Sequence, residues 1–168
     1  FDICFGGSFF AILKAEDFGF EIVPSEAAAI TKMGLEVMEE ANKQHKVQHP
    51  LIPENNKILL AEFGIHKEGE NARNCVIFGA KNVDRSPCGT GTCAKMALLA
   101  AKGELKPGEK FLHESILGTV FEGHYEPGLK VGEFDTVQPY IKGTANITGF
   151  NWLVRQENDP LLPGFLLG

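Results

Sequence analysis

Asn74-Cys75-Val76-Ile77-Phe78-Gly79, a polar connection over Lys81–Pro87, and then Cys88-Gly89-Thr90-Gly91-Thr92-Cys93-Ala94-Lys95 form the stretch on which the fold turns. The first segment is a run of β-formers closed by a glycine, which predicts a strand. The apolar, Ala-rich segment Thr92–Lys102 predicts a helix, with Gly103 as its C-terminal cap. Cys88 falls where that helix begins. The glycines around it let the backbone approach a ligand closely. Helix-start N–H groups have no partner within the helix, and the helix dipole adds a partial positive charge there. Two expectations follow. A carboxylate or similar anion would bind the N–H groups of Gly89, Thr90 and Gly91. The Cys88 thiol would be pushed toward thiolate.

A thiolate beside a carboxylate-binding nest suits proton abstraction α to a carboxylate. The base sits on one face of the α-carbon, and the nest stabilises the charge that develops. A racemase working this way needs a second acid on the opposite face, and no other residue here has a comparable setting. Three other readings stand beside this one. The segment could be only a tight turn followed by a core cysteine. It could be a phosphate loop, although the G-x-x-x-x-G-K-[ST] spacing is missing. Cys88 and Cys93 could form a redox pair.

Outward from this stretch, Phe1–Lys14 reads as two strands, or as one strand bulged at Gly6-Gly7. Phe18–Val23 reads as a short strand. Ile30, Met33, Val37, Met38 and Ala41 recur at helical spacing and predict a helix over roughly Glu26–Gln44, with Ser25 as N-cap. Its outer face carries Glu36, Glu39, Glu40 and Lys43. Pro50 and Pro53 mark a loop, Lys57–His66 a strand, and Lys67–Arg73 a polar turn. Beyond Gly103 the pattern is strand and turn: Lys110–His113, Ser115–Tyr125, Leu129–Phe134 and Val137–Thr148. Gly118, Gly123, Gly128, Gly132, Gly143 and Gly149 separate these strands. The order defines an α+β fold, mainly antiparallel, with two helices inside a curved sheet.

The composition narrows the function class. A chain of 168 residues fits one domain or one lobe, and 43% hydrophobic residues with thirteen Phe can fill a core. The net charge of −6 and the absence of a basic run argue against nucleic-acid and membrane surfaces. Apolar stretches are far shorter than a membrane span, and no charged-then-apolar leader pattern opens the chain. The opening Phe1-Asp2-Ile3-Cys4 resembles a strand interior, so the sequence is expected to start inside a longer protein; a processed terminus would look the same. Cys4, Cys75, Cys88 and Cys93 form no CxxC pair. His45, His49, His66, His113 and His124 do not sit at ligand spacing beside them, so no metal site is expected. Free thiols and a cytoplasmic location are the expectation.

The run Asp84-Arg85-Ser86-Pro87-Cys88-Gly89-Thr90-Gly91-Thr92 resembles the second-cysteine motif of the proline racemase family. That family includes proline racemase, hydroxyproline 2-epimerase and trans-3-hydroxyproline dehydratase. Phe1-Asp2-Ile3-Cys4-Phe5-Gly6-Gly7-Ser8-Phe9-Phe10-Ala11 resembles the start of the family's second half. Gly103-Glu104-Leu105, Glu114-Ser115-Ile116-Leu117-Gly118-Thr119 and Ile147-Thr148-Gly149-Phe150 also fit, so the likeness covers essentially the whole chain.

The resemblance implies a diaminopimelate epimerase-like fold. Two similar lobes, each a curved, mainly antiparallel sheet around a central helix, hold the substrate between them. It implies no cofactor, neither pyridoxal phosphate nor metal, and two cysteines from opposite lobes acting as base and acid. Carried over residue by residue, Cys88 is the second-lobe cysteine. Gly89 and Thr90 give N–H groups to the substrate carboxylate, and Asp84 lies near the substrate amine. The family's first-lobe motif, of Met-Cys-Gly-His type, is not in this sequence, so the chain is expected to be half an active site with little racemase activity alone. Cys88 speaks against the dehydratase, which typically has Thr there. Phe78, at the end of the strand before the motif, implies an aromatic pocket wall suited to proline, where hydroxyproline epimerases tend to place a polar group.

Proline is thus the expected small-molecule substrate, with hydroxyproline 2-epimerase and a non-catalytic anion-binding module as alternatives. Residues 1–149 are expected to form the catalytic lobe, and 150–168 a tail packing on the first lobe or a partner. The full-length form is expected to be a homodimer. Cys93 is read as packing, His113 and His124 as surface or core residues, and Lys95 as a solvated helix residue. Gly6-Gly7 is read as permitting close packing near the cleft.

Overall fold

In the computed structural model, which describes residues 1–66 and 71–166, the chain turns at Gly6-Gly7 between two strands. These are β1 (Asp2–Phe5) and β2 (Phe9–Lys14), paired antiparallel. The expected strand over Phe18–Val23 does not form. Ala15–Phe18 is a 3-10 turn that Gly19 ends in the left-handed region (φ +71°). Phe18 and Phe20 instead set their rings against Phe63, with centroids 5.4 and 5.8 Å away. These apolar residues plug the sheet face rather than extend it.

Helix α1 (Ala27–Gln44) buries Ile30, Thr31, Gly34, Met38 and Ala41, close to the stripe read from the sequence. Ser25 is not its cap. Pro24–Glu26 forms a 3-10 turn that runs straight into the helix, and no side chain caps it. The Glu26 carboxylate instead accepts from the Glu21 N–H at 2.9 Å. There follow β3 (Ile58–Ile65), β4 (Ala72–Phe78), the two-residue β5 (Asn82–Val83) and helix α2 (Gly89–Ala101). Of the expected polar turn Lys67–Arg73, residues 67–70 lie outside the described residues, and Ala72 and Arg73 belong to β4. Helix α2 starts three residues before the apolar run. It ends as expected at Gly103 (φ +71°), where the Gly103 and Glu104 N–H groups return to the Ala100 and Leu99 carbonyls.

The remaining strands are β6 (Phe111–Ser115), β7 (Val120–Pro127) and β8 (Val137–Lys142). Leu129–Phe134 contributes only a bridge between Val131 and Phe134, because Gly128 and Gly132 fold it into a turn closed by the Thr136 hydroxyl on the Leu129 carbonyl (2.6 Å). Gly123 does not separate strands. It lies inside β7, where a Cβ would come within 3.0 Å of the Met96 sulfur.

The sheet runs β1-β2-β3-β4-β6-β7-β8, with β5 paired to β4. The β2–β3 and β4–β6 pairs are parallel and the other five antiparallel. Strand alternation sorts the two helices onto opposite faces. Ala11, Leu13, Phe63, Cys75 and Ile77 pack with α1 on one face. Phe10, Ile12 and Val76 pack with Cys88, Ala94 and Leu98 on the other. Both ends of the sheet, β1 and β8, touch α2, so the sheet curls around that helix alone. The expectation of two helices inside the curve is corrected: α2 is central and α1 is outside. The two parallel pairs are possible because long connections precede their second strands, one through α1 before β3 and one through α2 before β6.

After Lys142 no strand or helix forms among the described residues, and Trp152 and Leu153 are each 96% exposed. Among the described residues no helix is long and apolar enough to cross a membrane.

The closest constraint in the fold is at Gly6. A Cβ there would lie 2.1 Å from the Thr90 carbonyl oxygen and 2.5 Å from the Ala94 nitrogen, so β1 meets the first turns of α2 backbone to backbone. Gly6→Ala should therefore push α2 off β1 and cost about 1–3 kcal/mol in urea unfolding. An unchanged midpoint would contradict this contact.

Candidate active site

The approach to α2 is a chain of short polar contacts. The Asp84 N–H donates to the Val76 carbonyl (3.0 Å), tying the loop to β4. The Asp84 carboxylate accepts from both the N–H and the hydroxyl of Ser86, each at 2.9 Å. The Ser86 hydroxyl oxygen in turn accepts from the Cys88 N–H (3.1 Å). Cys88 then takes φ +66° and ψ 122°, and among the described residues no other non-glycine has a positive φ. L-residues seldom adopt such a backbone, and it persists only where the surroundings hold it. The Thr92 N–H donates to the Cys88 carbonyl (2.8 Å), the first bond of the helix.

The Cys88 side chain is itself the helix cap. Its Sγ accepts from the Gly91 N–H at 3.3 Å and lies 3.5 Å from the Thr90 hydroxyl. Gly89 and Thr90 open α2, where helix geometry gives N–H groups no partner within the helix. The sequence-predicted residues Asp84, Cys88, Gly89 and Thr90 are therefore brought together within one loop and one helical turn. Phe78 shares the inner sheet face with Asn74 and Val76 by strand alternation, at the open end of β4, and is 38% exposed.

The thiol's state differs from the expectation. Cys88 is only 6% exposed, and burial pushes its pKa up. The Thr90 hydroxyl and the Gly91 N–H pull it down, while the charges of Asp84 and Glu62 push it up again. The net direction is upward, so this lobe holds Cys88 as a thiol. The helix start favours the thiolate locally, but desolvation outweighs it.

Beneath this turn lies a buried polar cluster that the sequence reading missed. Glu62 on β3, Asn74 on β4 and His113 on β6 share the inner face of three neighbouring strands and are at most 1% exposed. The Asn74 amide donates to the Pro87 carbonyl at 2.8 Å. The Thr92 hydroxyl donates to the same carbonyl at 3.4 Å and lies 3.0 Å from His113 Nδ1. Glu62 Oε1 is 3.8 Å from His113 Nε2, and a Cβ on Gly91 would come within 2.8 Å of Glu62 Oε2. The one available signal was a carboxylate in the middle of an apolar strand. Burial raises the Glu62 pKa to about 8, against the pull of Lys95 and Asn74. Burial, with Lys95 and His66, lowers that of His113 to about 3. Lys95 is not a freely solvated helix residue: its Nζ lies over Gly64 of β3, 3.7 Å from where a Cβ would be.

The other cysteines do not join this site. All four are free thiols, so Cys88 and Cys93 form no disulfide. Cys4 and Cys93 line a separate cavity of about 660 Å³ with Phe134 and Val137, and Cys88 is not part of its wall. Burial, followed by the Asp2 charge, pushes Cys4 up to about 11.

A curled sheet around a helix that opens on a cysteine-capped turn is the second-lobe architecture that the diaminopimelate epimerase-like fold implied. The chain belongs to the proline racemase family, whose model matches residues 1–166. It is 49% identical, over 99% of its length, to a proline racemase of Clostridioides difficile, and 39% identical over 98% to a 4-hydroxyproline epimerase of Brucella ovis. The chain spans about half the length of these relatives, 50% in each case. The crystal structure of a hydroxyproline epimerase from Agrobacterium vitis with bound trans-4-hydroxy-L-proline superposes with a TM-score of 0.86 at 34% identity, covering 99% of this chain and 48% of that one.

Glu62 makes stability depend on pH. Its folded pKa, about 8, lies above the ordinary value of 4.5, so the folded chain keeps a proton that the unfolded chain releases. The stabilisation is full below the ordinary value and is lost as pH rises through the folded one. Urea midpoints should therefore fall across that window, and Glu62→Gln should flatten the fall; equal slopes for the two proteins would contradict a buried, protonated Glu62.

Proposed function

We propose that this chain is the second lobe of a cofactor-independent proline racemase and supplies one of its two proton-transfer thiols, Cys88. The observation that carries the reading is the capped turn itself: Sγ sits at the mouth of α2, 3.3 Å from the Gly91 N–H, beside the opening amides of Gly89 and Thr90. Those amides would receive the substrate carboxylate and stabilise charge that develops on it as the Cα–H bond breaks. Asp84, fixed by Ser86, would face the substrate amine.

Racemisation moves one proton off Cα and delivers another to the opposite face. With its pKa raised by burial, Cys88 enters the cycle carrying a proton and acts as the acid. The base is then the thiolate of the first lobe. Each turnover exchanges these states: the first-lobe cysteine ends protonated and Cys88 ends as the thiolate, ready to work in the reverse direction. A chain with one thiol in such a setting has little racemase activity alone. Residues 1–149 would be the catalytic lobe and 150–168 a tail for the first lobe or a partner. The tail's exposed Phe150, Trp152, Leu153 and Val154 support this, since a row of bare apolar side chains calls for a covering surface.

Proline is the substrate this reading favours, because Phe78 presents an apolar ring on the Cys88 side of the sheet. Hydroxyproline is the second reading, supported by the likeness to hydroxyproline epimerases. A non-catalytic anion-binding module is the third.

In the enzyme completed with a first lobe, Cys88→Ser should lower racemisation by about 10²–10⁴-fold or more. Pyrrole-2-carboxylate, a planar mimic of the deprotonated substrate, should protect Cys88 from alkylation. Retained turnover would sink the catalytic reading, and ordinary thiol reactivity without protection would favour the binding module. Phe78→His should raise turnover of hydroxyproline relative to proline; an unchanged ratio would remove Phe78 from the pocket.

A further inference from the structure

The polar cluster under α2 contains four atoms that are fully buried and lack a hydrogen-bond partner: both Glu62 oxygens, Asn74 Oδ1 and His113 Nε2. Buried polar groups left unpaired are costly, so a group of four in contact with the active turn calls for a physical reason. The direction of the surrounding hydrogen bonds supplies one. The Pro87 carbonyl can only accept, so the Thr92 hydroxyl, 3.4 Å away, donates to it. The Thr92 oxygen then accepts from His113 Nδ1 at 3.0 Å, which puts the imidazole proton on Nδ1. A neutral His113 therefore has a bare Nε2 that needs a donor. The group facing it is Glu62 Oε1, at 3.8 Å, longer than a hydrogen bond; a carboxylate there sets acceptor against acceptor, and a proton-bearing carboxyl group removes that conflict.

We propose that Glu62 is a positioning residue for Cys88: as a proton-bearing carboxyl group it sets the direction of a relay through His113 and Thr92 to the Pro87 carbonyl, and so holds the strained backbone from which the thiol is presented. Asn74 is the second clamp on that carbonyl. The peptide bond fixed in this way is the one that leads into Cys88 at φ +66°. Glu62 also lies directly under Gly91, whose N–H donates to Sγ, so the same carboxyl group backs the thiol's own hydrogen bond.

The groups around Glu62 agree with a protonated form at neutral pH. Lys95 from α2 and the Asn74 amide from β4 favour its ionisation, and burial outweighs both. His113 from β6 is held neutral and offers no compensating charge. Cys4 from β1 and Cys88 at the head of α2 face the same space and are held as thiols. When pH rises through about 8, Glu62 loses its proton. The 3.8 Å approach then sets a carboxylate against the bare Nε2 of His113, and a negative charge appears behind the Cys88 sulfur, which holds the thiol back.

The inference rests on Cys88 being the proton-transfer thiol, yet its test reads that thiol directly rather than turnover. The rate of Cys88 alkylation by iodoacetamide is followed against pH in the 168-residue chain, with the four cysteines resolved by peptide mass spectrometry. The wild-type profile should bend near the Glu62 ionisation. Glu62→Gln sets an uncharged amide opposite His113 and cannot ionise, so its profile should be a single step with a midpoint lower by about one unit. In the enzyme completed with a first lobe, Glu62→Gln should retain kcat at neutral pH, whereas Glu62→Leu should lower kcat with little change in KM. Superimposable profiles for wild type and Glu62→Gln would overturn the proposal. A second measurement needs no variant: an infrared pH titration of the wild-type chain should show a protonated carboxyl C=O band at neutral pH that is lost near the bend. Absence of that band at neutral pH would also overturn it.

Discussion

The backbone junction at Pro87-Cys88 is the constraint on which the rest of the molecule depends. The chain leaves β4, pairs back on it briefly as β5, and must enter α2 with Cys88 at a positive φ and Gly6 pressed against the first turns of the helix. Two donors from different elements, Asn74 and Thr92, hold the Pro87 carbonyl, and Ser86 holds the Cys88 N–H. Strain of this kind, on the order of 1–3 kcal/mol, survives only where neighbours over-determine the geometry. The product is a thiol aimed at the mouth of a helix, in a setting that a free cysteine on a flexible loop would not keep.

The sheet exists to frame that helix. Its strands alternate so that one face carries Ala11, Leu13, Phe63, Cys75 and Ile77 toward α1, and the other carries Phe10, Ile12 and Val76 toward α2. The outer face is apolar where α1 packs on it. The inner face carries the buried polar side chains Glu62, Asn74, His113 and Ser115, and the first three meet under the active turn. The polar cluster and the strained turn therefore share a location, and desolvation there governs the protonation of Glu62, His113 and Cys88 together.

Local signals were legible and non-local ones were not. The helical stripe of α1, the glycine end of α2 and the cysteine motif each lie within a short window, and each appears where the sequence placed it. Apolar runs misled where a glycine redirected the chain: Gly19 turns Phe18 and Phe20 into a plug, and Gly128 with Gly132 folds residues 128–136 into a turn. The Glu62–His113 approach depends on β3, β4 and β6 lying side by side, which no window around either residue contains. The Cys88 thiol was misjudged for the same reason. The favourable helix start is local, whereas the burial that overrides it comes from Phe10 and Ile12 of β2 and Val76 of β4, with Cys4 of β1 and Leu60 of β3 packed against them.

The most direct test of the account is chiral and isotopic analysis of L-proline incubated in heavy water with this chain and a first lobe of the same family, with hydroxyproline run in parallel. The account requires D-proline carrying deuterium at Cα when both lobes are present, and close to none with either lobe alone. A folded two-lobe enzyme that neither inverts proline or hydroxyproline nor exchanges the Cα hydrogen would contradict it.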